Sequence, residues 1–365
     1  MKINHGYYVL SSFFTTTAII LLAFDSYFYL IFSSADSILP SDLSIAALIR
    51  VDPSGNGDYT NIQDAIDAVP SNNSEFVFIW LKEGTYREKI LVPADKPFIT
   101  LSGSNANTTI ITWDDGGDIF QSPTFTVLAS HFVGRYLTIQ NTFGPSRKAV
   151  ALRVSGDRAA FYGCRILSYQ DSLLDDAGMH YYRDCYIEGG TDFICGNAAS
   201  LFEKCHLHSL AKGTGAITAQ RRGSAEENTG YTFLGCSITG VGTALLGRAW
   251  GAYSRVVFAL TYMPDHVILP AGWDDWGDPA KQSTVYYGQY NCYGGGANVT
   301  GRVGWSHILS DEEAAPFLSK SMIGGRDWLR SIPTRFKKLI PNPPNSSSPA
   351  SPPPPATVTI NAKRL

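Results

Sequence analysis

The sequence has no C-x-x-C pair among its six cysteines, which excludes a zinc ribbon or a thioredoxin-type centre. It has no clustered basic stretch, and its net charge of -3 leaves no electrostatic footprint for a sequence-blind grip on nucleic acid. A G-x-S-x-G elbow is also missing, which argues against a serine nucleophile on an α/β-hydrolase sheet. His206 and His208 lie two residues apart, but no third ligand follows at a useful spacing, so a surface or packing role explains them better than a metal does.

What is present falls into four parts. Residues 1–35 read as a signal peptide: Lys2, an apolar run from Tyr7 to Phe24 and small residues near Ala35, with an uncleaved anchor as the alternative. Residues 36–46 form a linker and 47–340 a single domain, with 44% hydrophobic residues in the whole chain, enough for a large core. Residues 341–365 form a Pro/Ser-rich tail that cannot build a core. Asn72, Asn107, Asn298 and Asn345 each begin an N-x-S/T triplet, in keeping with the secretory route.

Within the domain, Thr60-Asn61-Ile62-Gln63 has a capping-box pattern, and Ile62, Ala65, Ile66 and Val69 follow helical spacing. A short amphipathic helix running to about Pro70 is expected there, as a lid on one end of the core. Ser310 and Glu313 give a second capping box near the other end. Between the two lie short apolar stretches broken by Gly, Asn, Asp and Ser.

Those stretches repeat. Phe161-Tyr162-Gly163-Cys164-Arg165-Ile166 returns as Tyr182 to Ile187, Phe202 to Leu207 and Phe233 to Ile238, with cysteines recurring after 21, 20 and 31 residues. Phe132 to Leu137 is an earlier copy without cysteine. A period near 20 with alternating apolar positions predicts an all-β fold, a right-handed parallel β-helix in which each coil gives one strand to each sheet. Cys164, Cys185, Cys205 and Cys236 should then form a buried ladder at about 4.8 Å per step, a spacing that permits a disulfide without demanding one.

The same period places two acids. Asp171 lies seven residues after Cys164 and Asp192 seven after Cys185, so they occupy equivalent places on successive coils. Their carboxyls should face each other at roughly 5 Å. Two like charges that close cannot both ionise freely, so the pair can divide into an acid and a base or nucleophile. The spacing alone also fits two solvated turn aspartates.

The flanking residues resemble the pectin methylesterase family, especially its plant members, over about Val51 to Leu329. Five segments carry the likeness in order: Gly84-Thr85-Tyr86-Arg87-Glu88, Lys148 to Arg153, Tyr169-Gln170-Asp171-Ser172-Leu173, Asp192-Phe193-Ile194-Cys195-Gly196 and Leu246-Gly247-Arg248-Ala249-Trp250. The resemblance implies hydrolysis of the methyl esters of pectin, with no metal or other cofactor. It implies Asp192 as nucleophile held ionised by Arg248, Asp171 as proton donor and then base, Gln170 as oxyanion donor and Trp250 as a stacking wall. It also implies a secreted monomer of the cell wall, with methyl-esterified pectin as substrate and a proteinaceous inhibitor as a further partner.

The chain departs from the family at three points. Lys148 stands where a glutamine usually helps bind the oxyanion, Cys195 where a cleft phenylalanine is usual, and Leu174 where an aromatic is expected. Lys148 precedes Gln170 by about one coil, so it could aim at the oxyanion, pair with Asp171 or turn to solvent. Two other readings keep the fold: a β-helix hydrolase or lyase of de-esterified pectin, for which no N-T-D or G-H-G cluster and no acidic calcium constellation appears, and a wall-binding protein with little turnover.

Overall fold

The computed structural model describes residues 44–339; the expected signal peptide and Pro/Ser tail lie outside them. Its strands form three sheets of twelve, seven and eight strands, here called A, B and C, and every strand pairing is parallel. The chain visits A, B and C in turn and then climbs one step, as Ala159–Tyr162, Arg165–Leu167, Leu173–Asp175 and then Met179–Arg183 illustrate. The result is a right-handed parallel β-helix, the hand that parallel crossover connections take.

The four cysteine hexapeptides turn out to be corners rather than strands, and the earlier copy read at Phe132 to Leu137 is two residues out of register, since Gly134 pairs with Phe161 and Tyr136 turns where Gly163 does. Two residues close a sheet A strand, one residue turns with positive φ, the cysteine follows, and two residues open a sheet B strand. Tyr136, Gly163, Asp184, Lys204, Gly235, Leu260 and Asn291 take the turning place, with φ between 46° and 62°. Only two of them are glycine, so at the other places the stacked coils hold L side chains in the left-handed region against a local cost.

Inward-facing rings make the core continuous from coil to coil. Phe161, Tyr182, Phe202, Phe233 and Phe258 are in register on sheet A and stack with centroids 4.5–5.3 Å apart. Each is fully buried, which contributes roughly 1.5–3 kcal/mol per side chain. Beside them run the cysteines, all free thiols, each of the later ones donating to a carbonyl of the previous coil: Cys185 Sγ to Phe161 O, Cys205 Sγ to Tyr182 O and Cys236 Sγ to Phe202 O. Thr261 and Cys292 extend the row.

Strand Ile45–Val51 begins two residues before the expected domain start at 47 and pairs with Arg335–Lys338, closing sheet A at one end. Helix α1 (Ile62–Asp67) covers that end with Ile62, Ala65 and Ile66 buried. Its predicted capping box of Thr60 with Gln63 does not form: the N-cap is Asn61, one residue later, which makes no cap bond, and Gln63 instead exchanges hydrogen bonds with the Leu91 backbone. The helix N-terminus is capped from a distance: the Glu88 carboxylate accepts from Ile62 N and Gln63 N at 2.9 and 3.0 Å. The second capping box, Ser310 with Glu313, forms as read. His206 and His208 both meet Thr239 Oγ1 at 2.7 Å on the outer face of sheet B.

Candidate active site

Asp171 and Asp192 sit at the corner between sheets B and C. The register of the following strands, Leu173 opposite Ile194 and Leu174 opposite Cys195, puts the two aspartates one coil apart at the same position. Both have positive φ, 60° and 48°, and Asp171 N donates to Thr191 O at 3.4 Å. Aspartate enters the left-handed region more readily than most residues, so an acid can turn this corner and still present its carboxyl to the groove.

Both acids are nearly buried, at 6% and 4% exposure. Burial, and next the neighbouring Asp192, pushes Asp171 up to about 7, against the pull of Lys148 and Arg248. Its carboxyl has no hydrogen-bond partner among the described residues. Burial also pushes Asp192 up, but Arg248 opposes that with a two-pronged ion pair: Nε to Oδ1 at 3.0 Å and Nη2 to Oδ2. Arg248 lies two strands away on Ala244–Ala249, and the intervening strand carries only Ala219 at that level, which leaves room for the long side chain to cross.

A cavity of about 150 Å³ opens over the pair, lined by Ile119, Lys148, Gln170, Asp171, Asp192, Cys195, Ala219, Arg248, Trp250 and Trp276. All six site residues expected from the sequence therefore meet in one place. Ala149 N donates to Gln170 O at 3.0 Å, which sets Lys148 one coil below the Gln170 corner. Lys148 is exposed, and neither its ammonium nor the Gln170 amide bonds to a described residue, so both remain available to a ligand. Lys148 forms no direct ion pair with Asp171, although its charge still pulls the Asp171 carboxyl down.

An apolar cluster of Val150, Leu174, Cys195 and Ala219 packs with Ile119 and Trp250 beside the cavity, and Cys195, Ala219, Ile119 and Trp250 line it. Of the two departures from aromatic residues, Cys195 lines the cavity and Leu174 packs in the apolar cluster behind it. Sequence reasoning missed Trp276, whose ring lies 4.1 Å from the Arg248 guanidinium carbon, and Asp274, which stands beside Arg248 on the next strand. Burial pulls the Arg248 guanidinium down, but Asp192 and then Asp274 outweigh it, holding Arg248 above the ordinary arginine value.

An ion-paired carboxylate beside one that gives up its proton only near neutrality, in a partly apolar cavity, suits attack on a carbonyl followed by protonation of a poor leaving group. Comparison with known proteins narrows this further, since the Pectinesterase family model matches residues 48–326. The chain belongs to the pectinesterase family. An Arabidopsis thaliana relative named as pectinesterase 11 is 61% identical over 81% of this chain and 84% of its own length. Pectin methylesterase from carrot shares 33% identity and a TM-score of 0.74, covering 81% of this chain and 97% of the carrot chain. A pectin methylesterase solved in complex with a hexasaccharide matches 79% of this chain and 98% of its own, at 26% identity and a TM-score of 0.66. Pectinesterases are carboxylic ester hydrolases, and the reaction that defines the family is hydrolysis of pectin methyl esters to methanol and free carboxylate.

Proposed function

We propose that this pectinesterase works through Asp192 as nucleophile and Asp171 as acid and base. The observation that carries the reading is the stacking of the two acids in one cavity with Arg248 bonded to only one of them. The Asp192 carboxylate attacks the ester carbonyl carbon, and the carbonyl π electrons move to oxygen. Gln170 and Lys148 are the donors free to meet that oxyanion, the lysine adding a charged hydrogen bond. When the carbonyl re-forms, the C–O bond to methoxide breaks and Asp171 supplies the proton that lets methanol leave. The product is an acyl anhydride on Asp192. Asp171, now ionised, takes a proton from water, whose oxygen attacks the anhydride and returns Asp192 with a free galacturonate carboxyl.

Trp250 and Trp276 supply ring faces at the rim for the sugar chain. The apolar lining of Ile119, Cys195 and Ala219 suits a methyl ester better than a carboxylate, which would lose its hydration there. The setting is the cell wall, reached by secretion as a glycosylated monomer, with a proteinaceous inhibitor as a further partner. The N-terminal apolar run and the triplets at Asn72, Asn107 and Asn298, all three exposed, support that setting.

The test is methanol release from highly methylated pectin by the purified protein. Release without shortening of the polymer is expected. Chain cleavage, or no methanol at any pH between 5 and 9, would refute the reading.

A further inference from the structure

Just past the catalytic cavity, where sheet C turns back toward sheet A, lies a second depression of about 440 Å³, walled chiefly by Arg222, Tyr253, Arg255, Tyr286, His307 and Phe317. Its two guanidiniums have no carboxylate partner among the described residues. Arg222 donates only to backbone carbonyls, to Glu227 O at 2.7 Å, Tyr253 O at 3.3 Å and Ala225 O at 2.5 Å. The Arg255 side chain makes a single hydrogen bond, a long one of 3.5 Å to Asn228 Oδ1. Burial, and then the like charge of Arg222, holds Arg255 below the ordinary arginine value, so an anion placed here would relieve both effects. The nearby acids hydrogen-bond elsewhere, Glu226 with Ser224, Glu227 with Asn197 and Gly223, and Glu313 with Ser310; Glu226 also feels the Arg222 charge but forms no ion pair with it.

The other wall is aromatic. The Tyr286 ring stacks on His307 at 4.9 Å and faces Phe317 at 6.0 Å. Half-buried guanidiniums opposite ring faces suit a sugar that carries a carboxylate, since the fork binds the anion and the rings take the C–H face. The two depressions are also neighbours along the chain. Ala219 and Trp250 line the catalytic cavity, and three residues on along the same two segments Arg222 and Tyr253 line the second, at most about 10 Å farther along an extended chain. The segments are tied by Gly251 N to Gln220 O at 3.1 Å and Tyr253 N to Arg222 O at 3.0 Å.

We propose that this depression is a second polysaccharide site, which holds the free carboxylate of a uronate residue while another residue of the same chain occupies the catalytic cavity. It rests on the reading of the substrate as pectin. Partly de-esterified chains should therefore be gripped more firmly than fully methylated ones, through a contact remote from the ester.

The experiment is titration of a fully de-esterified galacturonate hexamer into the wild type, Arg255→Gln, Arg255→Lys and His307→Ala at low and high salt, with a thermal melt of each. Arg255→Gln should weaken binding at least tenfold, Arg255→Lys by a smaller factor and His307→Ala about threefold, and the wild-type affinity should fall as salt screens the carboxylate. A well-folded Arg255→Gln that binds the hexamer like the wild type overturns the proposal. If that variant melts early, the exposed His307 decides instead, and unchanged affinity in His307→Ala overturns the proposal equally. The hexamer carries no ester, so this readout does not depend on turnover. Arg255-dependent binding in a protein that releases no methanol would refute the esterase chemistry and still support the site.

Discussion

Two corners of the same solenoid carry chemically active side chains in stacked rows, and only one of the rows can do chemistry. At the A-to-B corner, Cys164, Cys185, Cys205 and Cys236 follow a left-handed residue and point into the core, at 2% exposure or less. At the B-to-C corner, Asp171 and Asp192 are themselves the left-handed residues and face a cavity. Burial pushes the Cys164, Cys185 and Cys205 thiols far above their ordinary range, which removes the thiolate. The same burial pushes both acids up, but Arg248 opposes it on Asp192 while Asp171 has no hydrogen-bond partner among the described residues, which makes the two carboxyls unlike. Stacking brings groups together in both rows; which way the corner residue points decides whether they react.

Removing the nucleophile should break the comparison most severely. Asp192→Asn, nearly isosteric, is expected to lower methanol release by about three orders of magnitude or more while retaining the wild-type far-UV spectrum. Substantial residual turnover would remove Asp192 from the nucleophile role.

Asp171 sharpens the same contrast through pH. With its pKa near 7, the protonated acid is present below that value and is lost above it, so the acid-dependent step should slow about tenfold per pH unit on the alkaline side. Stability follows the same proton. A carboxyl whose folded pKa lies above its unfolded value of 3.8 binds a proton more tightly when folded, so its contribution is present at low pH and is lost between about 4 and 7. Above pH 7 the wild type then carries a cost of a few kcal/mol that Asp171→Asn avoids. The variant should be inactive and should melt higher than the wild type at pH 8. Melting temperatures that differ equally at pH 4 and pH 8 would contradict the assigned shift.

Lys148 comes next in size. If its ammonium meets the oxyanion, Lys148→Met should lose on the order of a hundredfold in turnover and Lys148→Gln much less. Equal rates for all three proteins would leave Gln170 as the sole donor.

Much of this was legible because a solenoid converts sequence interval into spatial neighbourhood. Seven residues from cysteine to aspartate on two successive coils sufficed to place Asp171 against Asp192, and the Cys and Phe positions gave the register of the core. Features outside the period were not legible. Trp276 reaches the cavity from an irregular segment with positive φ, beyond the last regular copy of the repeat. The strand Arg335–Lys338, all exposed and charged or aromatic, pairs with Ile45–Leu48 across almost the whole domain, and no local pattern announces such a contact. Glu88 appeared as part of a motif, yet its work of capping α1 depends on a fold-borne approach from 26 residues away.

The cysteine row gives the smallest effect and the cleanest control. Cys185 stands between Cys164 and Cys205, wholly enclosed by the core, with its thiol donating to Phe161 O at 3.5 Å. Cys185→Ala removes one sulfur atom, leaving a space too small for water and one carbonyl short of a weak donor. The loss should be about 1 kcal/mol, since a sulfur fills roughly the space of a methylene and the thiol donates weakly. Because the row points away from the cavity, kcat on methylated pectin should stay within twofold, and labelling of the Cys185 thiol in the wild type should be negligible until the protein unfolds. A large drop in kcat with little change in melting temperature would mean that the two rows are coupled through the coil that joins Cys185 to Asp192. The comparison between an inert corner and a reactive one would then need to be redrawn as a single mechanical unit.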